Sequence, residues 1–480
     1  MSRLKRYGMV ECLYILIISM LILIARVIES FELITICVFA LFILNTFYCL
    51  HNLKNRYTLM FFSFSIFLFL IGRPLFRVLG FGDDVEWYDY GNVYSLEAIS
   101  LVFLSLLCLI FGQIIGENFF YKRIIARYKY PPNVIARIRS YSEFLFYVCA
   151  IFKGIVELER LVYMIGKNYT EIYVGFSSRL PFFVHGIAGF MVYFFCIYLS
   201  TFPDKKNVLK KFVIYIGLSI PWLIIGARSF FVSSLAFVSV YYCLRQSTDV
   251  GDSWINDKEK RIALIFLPVV IIGLGAFNYV RDNNTDFELA GLSIIIDFII
   301  KQGVTFNTIC LGIENADEIK GLGEKLYVFG PFYDYIKYGV LGQMLFNNSG
   351  LPNGNSLEMI RYGNSMAHDL SYITRGDYLQ GHGFGSSYIF ELFFEYGYCG
   401  VAFFNILLGY IFSIVNRIAL NGILYFTMEL VAFTSFFLLP RSGLSEPFTF
   451  LIKYQFWICL SLVFLLAYRK GKDCEKDSAG

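Results

Sequence analysis

Charged residues are scarce in this 480-residue chain: Asp, Glu, Lys and Arg make up 16% of it, whereas soluble domains carry about 25%. Hydrophobic residues make up 57%, and the mean hydropathy is +0.60. Apolar runs of about 18 or more residues predict transmembrane helices, and their continuity favours helices over the alternating pattern of a β-barrel. The composition predicts an all-α polytopic membrane protein. The net charge of +4 is too small to indicate a nucleic-acid partner.

The sequence also lacks the motifs of disulfide, metal and nucleotide chemistry. Its 11 cysteines include no Cys-x-x-Cys pair, and most of them, such as Cys108 and Cys196, fall in apolar runs, where they behave as small hydrophobic residues. No His-x-x-x-His pair, repeated Asp-x-Asp spacing or phosphate-binding loop is present. We therefore predict no cofactor, no metal and no ATP-driven mechanism.

Apolar runs predict about twelve spans, interrupted by one long polar segment. The predicted spans are residues 10–27, 31–50, 57–73, 94–115, 143–160, 182–202, 212–227, 229–245, 262–280, 395–416, 422–440 and 446–468. The interruption between spans nine and ten is rich in Gly, Asn, Asp and Tyr. Such a long polar loop predicts a functional site at the membrane surface. The predicted organisation is nine spans in residues 1–281, a partly helical loop in 282–394, three spans in 395–468 and a tail in 469–480.

The distribution of Lys and Arg predicts the orientation of the spans. Basic residues concentrate in alternate connecting segments, including 122–139, 205–211, 258–261 and the tail. Because cytoplasmic loops carry the excess of Lys and Arg, both termini are predicted to be cytoplasmic and the long loop to lie outside. In a Gram-negative host, that places the protein in the inner membrane with the loop in the periplasm.

Three arginines are predicted at the outer interface, against this charge bias. Arg228 follows a Gly-Ala turn, Arg281 opens the long loop, and Arg441 closes the eleventh span. An arginine at a membrane interface is costly without a partner, although snorkelling to lipid headgroups explains a single case equally well. A cluster of them suits a pyrophosphate-linked lipid, because guanidinium binds phosphate bidentately and stays charged.

Two of the four histidines fall in the long loop. His368 precedes Asp369, and the pair could act as a general base on a hydroxyl, but neighbouring helix residues point apart, and a structural histidine is an equal alternative. His382 lies in the stretch GHGFGSS at 381–387, where glycines allow a tight backbone approach and a serine could cap the next helix.

The segment after this stretch carries two glutamates, Glu391 and Glu395, on one helix face. A glycosidase-like carboxylate pair is one interpretation, and a solvated acidic face on a re-entering helix is the favoured one. Aromatic residues within the loop could stack on sugar rings. A dense group comprises Tyr327, Phe329, Phe332, Tyr333, Tyr335 and Tyr338.

These features together resemble the Wzy-type O-antigen polymerases, which polymerise oligosaccharide repeat units. The resemblance covers essentially the whole chain. It rests on the dozen spans, the Gly-Ala-Arg corner at 226–228, the outer loop opened by Arg281, and GHGFGSSYIFELFFEYGYCGV from Gly381. It implies a GT-C-like, metal-independent glycosyltransferase that moves the growing glycan from undecaprenyl pyrophosphate to the non-reducing end of a new lipid-linked unit. A separate chain-length regulator and a flippase are the implied protein partners.

The resemblance also implies roles for particular residues. Outer-loop arginines that hold the donor pyrophosphate carry over to Arg228 and Arg281, and further to Arg375 and Arg441. The implied base is His368, followed by Asp369 and then His382. Two alternatives remain open at this point: an O-antigen ligase or related lipid-linked glycan transferase, and a repeat-unit flippase or transporter without catalysis.

Overall fold

The computed structural model describes residues 16–81, 88–119, 130–164, 176–225, 227–248, 253–281, 292–352 and 354–477. All regular secondary structure in these ranges is helical, which confirms the predicted all-α class. The α-helices are α1 (Leu16–Val27), α2 (Phe31–His51), α3 (Leu53–Val78), α4 (Val93–Phe119), α5 (Pro132–Met164), α6 (Phe182–Ser200), α7 (Lys205–Gly217), α8 (Ile220–Ile225), α9 (Ser229–Ser247), α10 (Asp257–Arg281), α11 (Leu292–Gln302), α12 (Val304–Glu314), α13 (Ala316–Gly321), α14 (Gly330–Tyr338), α15 (Val340–Phe346), α16 (Leu357–Tyr362), α17 (Met366–Thr374), α18 (Tyr388–Leu420), α19 (Ile423–Phe433) and α20 (Tyr454–Asp477).

Within the described residues, eight helical segments are long and apolar enough to cross a membrane. They are Phe31–His51, Leu53–Val78, Val93–Asn118, Phe182–Ser200, Lys205–Ile224, Ser293–Glu314, Tyr388–Leu420 and Ile423–Arg441. The prediction of twelve spans is not confirmed, although every predicted span overlaps a helix. Helices α5, α9 and α10 are less apolar, whereas α1 and the first part of α20 are apolar but shorter. Each of these five helices coincides with a predicted span.

Polar contacts divide the helix ends into two groups. At one end, Arg56 donates through Nε and Nη2 to both carboxylate oxygens of Glu117, each at 2.8 Å, and joins α3 to α4. At the other end, Arg26 Nη2 lies 2.6 Å from Glu97 Oε2 and 3.2 Å from the Tyr398 hydroxyl, so α1, α4 and α18 meet there. Helices α12 to α17 belong to this second end.

The candidate span Ser293–Glu314 falls inside the predicted polar loop. It is broken at Gly303 into α11 and α12, and its neighbours are the same ends of several helices. Phe306 packs on Phe31 at the start of α2, with 6.3 Å between ring centroids, and the Tyr88 hydroxyl donates to Glu314 at 2.7 Å. Because these partners all lie at the second end of the bundle, α11 and α12 cover that end rather than run through to the first.

Helices α4 and α18 pack closely against each other through glycines. A Cβ on Gly409 would lie 2.1 Å from the carbonyl oxygen of Leu109, and one on Gly112 would lie 2.0 Å from that of Ile406. The backbones therefore touch, as small residues allow at the interfaces of membrane helices. Gly397, with φ 62° and ψ −159°, breaks α18 near its start and separates its first turns from the rest.

Candidate functional site

His368 lies on α17, in the part of the loop that packs beside α18. Its Nδ1 is 3.0 Å from the hydroxyl of Tyr378, which is 2% exposed and is also bonded by the backbone N–H of Ser356 at 3.3 Å. The imidazole is half-buried, and burial lowers its pKa, with a smaller contribution from the Lys325 ammonium. A neutral imidazole held by one hydroxyl has the proton-accepting form that a general base requires.

Asp369, the next residue, turns to the opposite side of α17. Its fully buried carboxylate lies 2.7 and 2.8 Å from Nζ of Lys325 and accepts from the Tyr327 hydroxyl at 2.8 Å. Burial raises the pKa of Asp369, and the Lys325 ammonium opposes that rise. The His–Asp neighbour pair thus has separate partners, as expected for adjacent residues on a helix. Asp369 ties α17 to the segment that precedes α14.

The stretch at 381–387 winds tightly past α17, as its glycines predict. Gly381 has φ 94°, and a Cβ on Gly383 would lie 3.0 Å from the Ser371 Oγ, which accepts from the Phe384 N–H at 2.8 Å. The amide of Asn355 donates to the carbonyl of His382 at 2.8 Å. The His382 side chain is half-buried. The stretch is therefore fixed by hydrogen bonds to its backbone. His382 lies on the same turn as the backbone groups that form them.

The serine and glutamate side chains after this stretch depart from two sequence expectations. Ser387 stands at the N-cap of α18 without a side-chain cap bond, and the Ser386 hydroxyl donates to Glu391 at 2.7 Å. Glu391 is 3% exposed and also accepts from the Leu444 N–H at 3.1 Å, while Glu395 accepts from the N–H of Val328 at 2.9 Å. The favoured interpretation of a solvated acidic face is therefore wrong, because both carboxylates serve as anchors for neighbouring loop backbone.

Two of the predicted arginines flank the 381–387 stretch. Arg375 forms a bidentate pair with Asp377, with both N–O distances at 2.8 Å, and its guanidinium lies 5.2 Å from the Phe384 ring centroid. Arg375 holds the pKa of Asp377 low, at about 2. Arg441 is exposed, and its carbonyl oxygen lies 3.2 Å from the position of a Cβ on Gly385. The guanidinium of Arg375 and the backbone of Arg441 therefore both adjoin this stretch, while the Arg441 guanidinium lies 5.3 Å from the ring centroid of Phe69 on α3.

Arg228 lies in a different part of the same end, before the first turn of α9. Its Nη1 donates to the Leu274 carbonyl on α10 at 3.3 Å. Arg281 is the last residue of α10, and its side chain lies outside the described part of the chain, as does Gly226 of the predicted corner. The structure therefore gives no direct contact by which to group Arg228 and Arg281 with Arg375 and Arg441.

One arginine that the sequence analysis missed lies between these two regions. Arg73, near the end of α3, is 2% exposed and donates through Nη1 to the carbonyl of Ile300 on α11 at 3.1 Å. Helix α11 contacts Gly275 of α10 through Ile294, and Ile294 and Ile300 are separated by roughly 9 Å along the helix axis. Arg73 is the last residue of the predicted span 57–73, and the sequence carries no signal that α11 would cover it.

Other missed residues are the partners of the predicted ones. Lys325, Tyr327 and Tyr378 hold Asp369 and His368, yet only Tyr327 drew attention, as an aromatic. A single lysine within a polar loop is an ordinary surface residue in sequence, and only burial identifies it. No group of three or more His, Cys, Asp or Glu side chains that could hold a metal ion occurs among the residues that the structure describes.

An apolar helix bundle with a folded polar segment at one end defines a polytopic membrane protein with its candidate site outside the apolar core. The chain belongs to the O-antigen polysaccharide polymerase Wzy family, whose model matches residues 10–472. Membership of this family implies glycosyltransferase-type activity on lipid-linked oligosaccharides in a membrane. Neither the curated proteins nor the solved structures include a match to this chain.

Proposed function

We propose that this chain transfers a growing glycan from undecaprenyl pyrophosphate to the non-reducing end of a new lipid-linked repeat unit. The family match over residues 10–472 carries the proposal. The proposed enzyme is GT-C-like and metal-independent, and it works on the periplasmic side of the inner membrane with both termini in the cytoplasm. A polyprenyl pyrophosphate already stores the activation that a nucleotide sugar would otherwise supply, so the transfer requires no further energy source.

In the proposed reaction, an acceptor hydroxyl attacks the anomeric carbon of the donor glycan. The bond from that carbon to the pyrophosphate oxygen breaks, a glycosidic bond forms, and lipid pyrophosphate leaves with the electron pair. His368 takes the hydroxyl proton at Nε2, since its Nδ1 lies against the Tyr378 hydroxyl. Its half-buried position and lowered pKa support this role because they keep the imidazole neutral near pH 7.

Arginines near the 381–387 stretch would hold the pyrophosphate as its charge develops. Arg375 adjoins this stretch through its guanidinium and Arg441 through its backbone carbonyl, which favours them as the arginines nearest the leaving group. Arg228 and Arg281 would bind the donor from the α9–α10 side of the same end. Guanidinium groups that bind the leaving pyrophosphate more tightly than the bound donor accelerate transfer.

Asp369 and His382 take other parts in this proposal. Asp369 positions α17 through its pair with Lys325, and thereby positions His368. His382 lies on the turn that also carries the Phe384 ring beneath Arg375, where it is available to contact substrate. Either residue remains a candidate base if replacement of His368 leaves polymerisation intact.

The decisive experiment is a lipopolysaccharide ladder from a strain deleted for this gene, with rescue by plasmid. We expect the ladder to collapse to core plus one repeat unit and to return on rescue. Core alone with accumulating lipid-linked polymer would instead identify a ligase, and arrest of export would identify a flippase. An unchanged ladder would contradict the proposal.

The residue assignments are tested separately, with variants expressed at equal level. Arg375→Ala and Arg441→Ala should shorten the ladder, and Arg375→Lys should restore it only in part, because lysine keeps the charge but loses the bidentate geometry. The exposed Lys320 offers a matched control, since Lys320→Ala removes a cation from the same end without touching this stretch. Full ladders from both alanine variants would refute the assignment and leave the function standing.

A further inference from the structure

A separate groove of about 450 Å³ opens on the loop surface. Helix α14 forms one wall, the end of α16 with the following Gly363 and Asn364 forms the other, and residues 322–326 form the floor. None of the residues proposed above as base or pyrophosphate ligand lines it, although Lys325, the partner of Asp369, does. The groove is therefore a second concave surface at the loop end of the bundle.

Buried polar contacts hold the three sides of this groove together. Asn364 accepts from the Leu326 N–H at 3.0 Å, and its own N–H and side-chain amide donate to Asp334 at 2.8 and 2.7 Å. A Cβ on Gly330 would lie 2.0 Å from the Asn364 carbonyl oxygen, so the two walls are in backbone contact there. Because every segment is tied to Asn364, the chain's own contacts fix the shape of the groove.

The walls present tyrosine rings and cations in combination. Tyr333 and Tyr362 are 42% and 50% exposed, respectively. Nζ of Lys337 lies 5.4 Å from the ring centroid of Tyr333 and 5.2 Å from that of Tyr338, and the Arg361 guanidinium lies 5.5 Å from that of Tyr362.

Among the described residues these cations have no direct carboxylate partner, although Lys337 acts through space on the carboxylate of Asp334. Over the part of the chain that the structure describes, neither Lys337 nor Arg361 forms a salt bridge, whereas Lys325 on the floor is paired with Asp369. Rings fix both cations in place at the groove surface through cation–π contacts. Exposed rings with two positioned cations suit a ligand that has flat apolar faces and a negative charge.

We propose that this groove binds an anionic saccharide, whose sugar faces stack on Tyr333 and Tyr362 while Lys337 and Arg361 pair with its carboxylate or phosphate. The inference rests on the proposed function, because a polymerase acts on a lipid-linked glycan and the groove would bind part of that glycan. An acidic sugar within the repeat unit and the sugar phosphate next to the carrier are the two sources of this chemistry.

The groove is connected to the proposed base through its floor. Lys325 lines the groove and also grips Asp369, which adjoins His368 on α17. A saccharide in the groove therefore lies beside the segment that positions His368. We assign the groove to holding one glycan substrate during transfer, which predicts that its loss raises KM more than it lowers kcat.

Binding to the full-length protein in detergent tests the proposal without requiring polymerisation. The probes are trigalacturonate for an acidic sugar, glucose 1-phosphate for a sugar phosphate, maltotriose as a neutral match and inorganic pyrophosphate as an anion without a sugar. We expect one of the first two probes to bind at least about tenfold more tightly than maltotriose and pyrophosphate. Which of the two binds identifies the source of the negative charge.

Two double variants probe the two parts of the groove. Lys337→Gln with Arg361→Gln, and Tyr333→Ala with Tyr362→Ala, should each weaken that probe by at least about tenfold. Matched controls are Lys320→Gln, an exposed lysine on α13, and Tyr425→Ala, a 53% exposed tyrosine at the opposite end of the bundle, and both should bind normally. Equal thermal midpoints for all variants show that the fold is retained.

Several results would overturn the inference. The first is that neither anionic saccharide binds, and the second is that maltotriose binds as tightly as they do. The third is that pyrophosphate binds and the tyrosine substitutions do not weaken it. The fourth is that saccharide binding is unchanged in both double variants. A collapsed ladder in the deletion strain together with any of these results would reject the groove and keep the polymerase. An unchanged ladder with groove-dependent binding would do the reverse.

Discussion

The buried pair of Lys325 and Asp369 makes a prediction that separates a structural role from a catalytic one. The side chains are 6% and 0% exposed, and the ammonium lies 2.7 and 2.8 Å from the two carboxylate oxygens. Asp369→Asn removes the negative charge and leaves Lys325 buried without its counter-ion. Breaking a buried pair in this way costs about 3–5 kcal/mol, so we expect a loss of that size in the free energy of unfolding.

The double variant sharpens this test. Lys325→Met combined with Asp369→Leu removes both charges and keeps side chains of similar length and branching, so it should be more stable than either single variant, with a coupling energy of about 1–3 kcal/mol. The Tyr327 hydroxyl then loses an acceptor, which keeps the double variant below the wild type. Lys320 and Asp317 on α13 form a matched exposed pair, and breaking it should cost less than about 1 kcal/mol.

Denaturant titration in detergent micelles measures these free energies, and the lipopolysaccharide ladder at equal protein level measures function. If the pair is structural, Asp369→Asn lowers the free energy of unfolding, and polymerisation falls in proportion to the amount of folded protein. If Asp369→Asn were as stable as the wild type and still abolished polymerisation, the carboxylate would act in the chemistry and this reasoning would be refuted.

Three further predictions concern the base, an arginine pair and the helix contact. Because burial lowers the pKa of His368, transfer in membrane vesicles should persist as the pH falls to the ordinary histidine value of about 6.5 and decline only below it, and His368→Gln should remove both the activity and this pH dependence. Arg375 keeps the pKa of Asp377 at about 2, so the pair stays ionised throughout this pH range. Asp377→Asn should therefore shift KM without changing the pH midpoint of transfer. A moved midpoint would count against His368 as the titrating group. Gly409→Ala should cost about 1–3 kcal/mol in unfolding titrations because its Cβ meets the α4 backbone, whereas Gly186→Ala, with open space around its Cβ, should stay within about 1 kcal/mol of the wild type.

The local features of the sequence predicted the helices well. A helix lies at each span predicted from a continuous apolar run, because helix formation depends on neighbours within one segment. The fate of α11 and α12 was not predictable in this way. Their apolar residues are interspersed with polar ones inside a long polar segment, and only packing against the ends of α2, α3 and α10 explains why these helices cover the bundle there.

The candidate site divides along the same line. The glycines of 381–387 and the opposed directions of His368 and Asp369 follow from backbone geometry, and both were predicted. The roles of Glu391 and Glu395 were not, since a helical spacing of four places them on one face without saying what covers that face. Loop backbone at Val328 and Leu444 covers it, so two carboxylates that resemble solvated or catalytic groups in sequence are anchors for that backbone, with Glu391 buried and Glu395 partly buried.

The distribution of charge in the sequence identified some of the arginines at the loop end of the bundle but not all of them. The bias of Lys and Arg drew attention to Arg228 and Arg441 because each lies against it, and both lie at the loop end of the bundle. The charge bias does not identify Arg73, which is buried at the same end of the bundle with its guanidinium on the Ile300 carbonyl. Burial beneath α11 holds the Arg73 guanidinium on the Ile300 carbonyl. For this reason Arg73→Lys should alter donor binding less than Arg375→Lys, and the ratio of their KM changes measures which guanidinium adjoins the pyrophosphate. A larger KM change for Arg73→Lys would move the donor site from the 381–387 stretch to the α3–α11 contact.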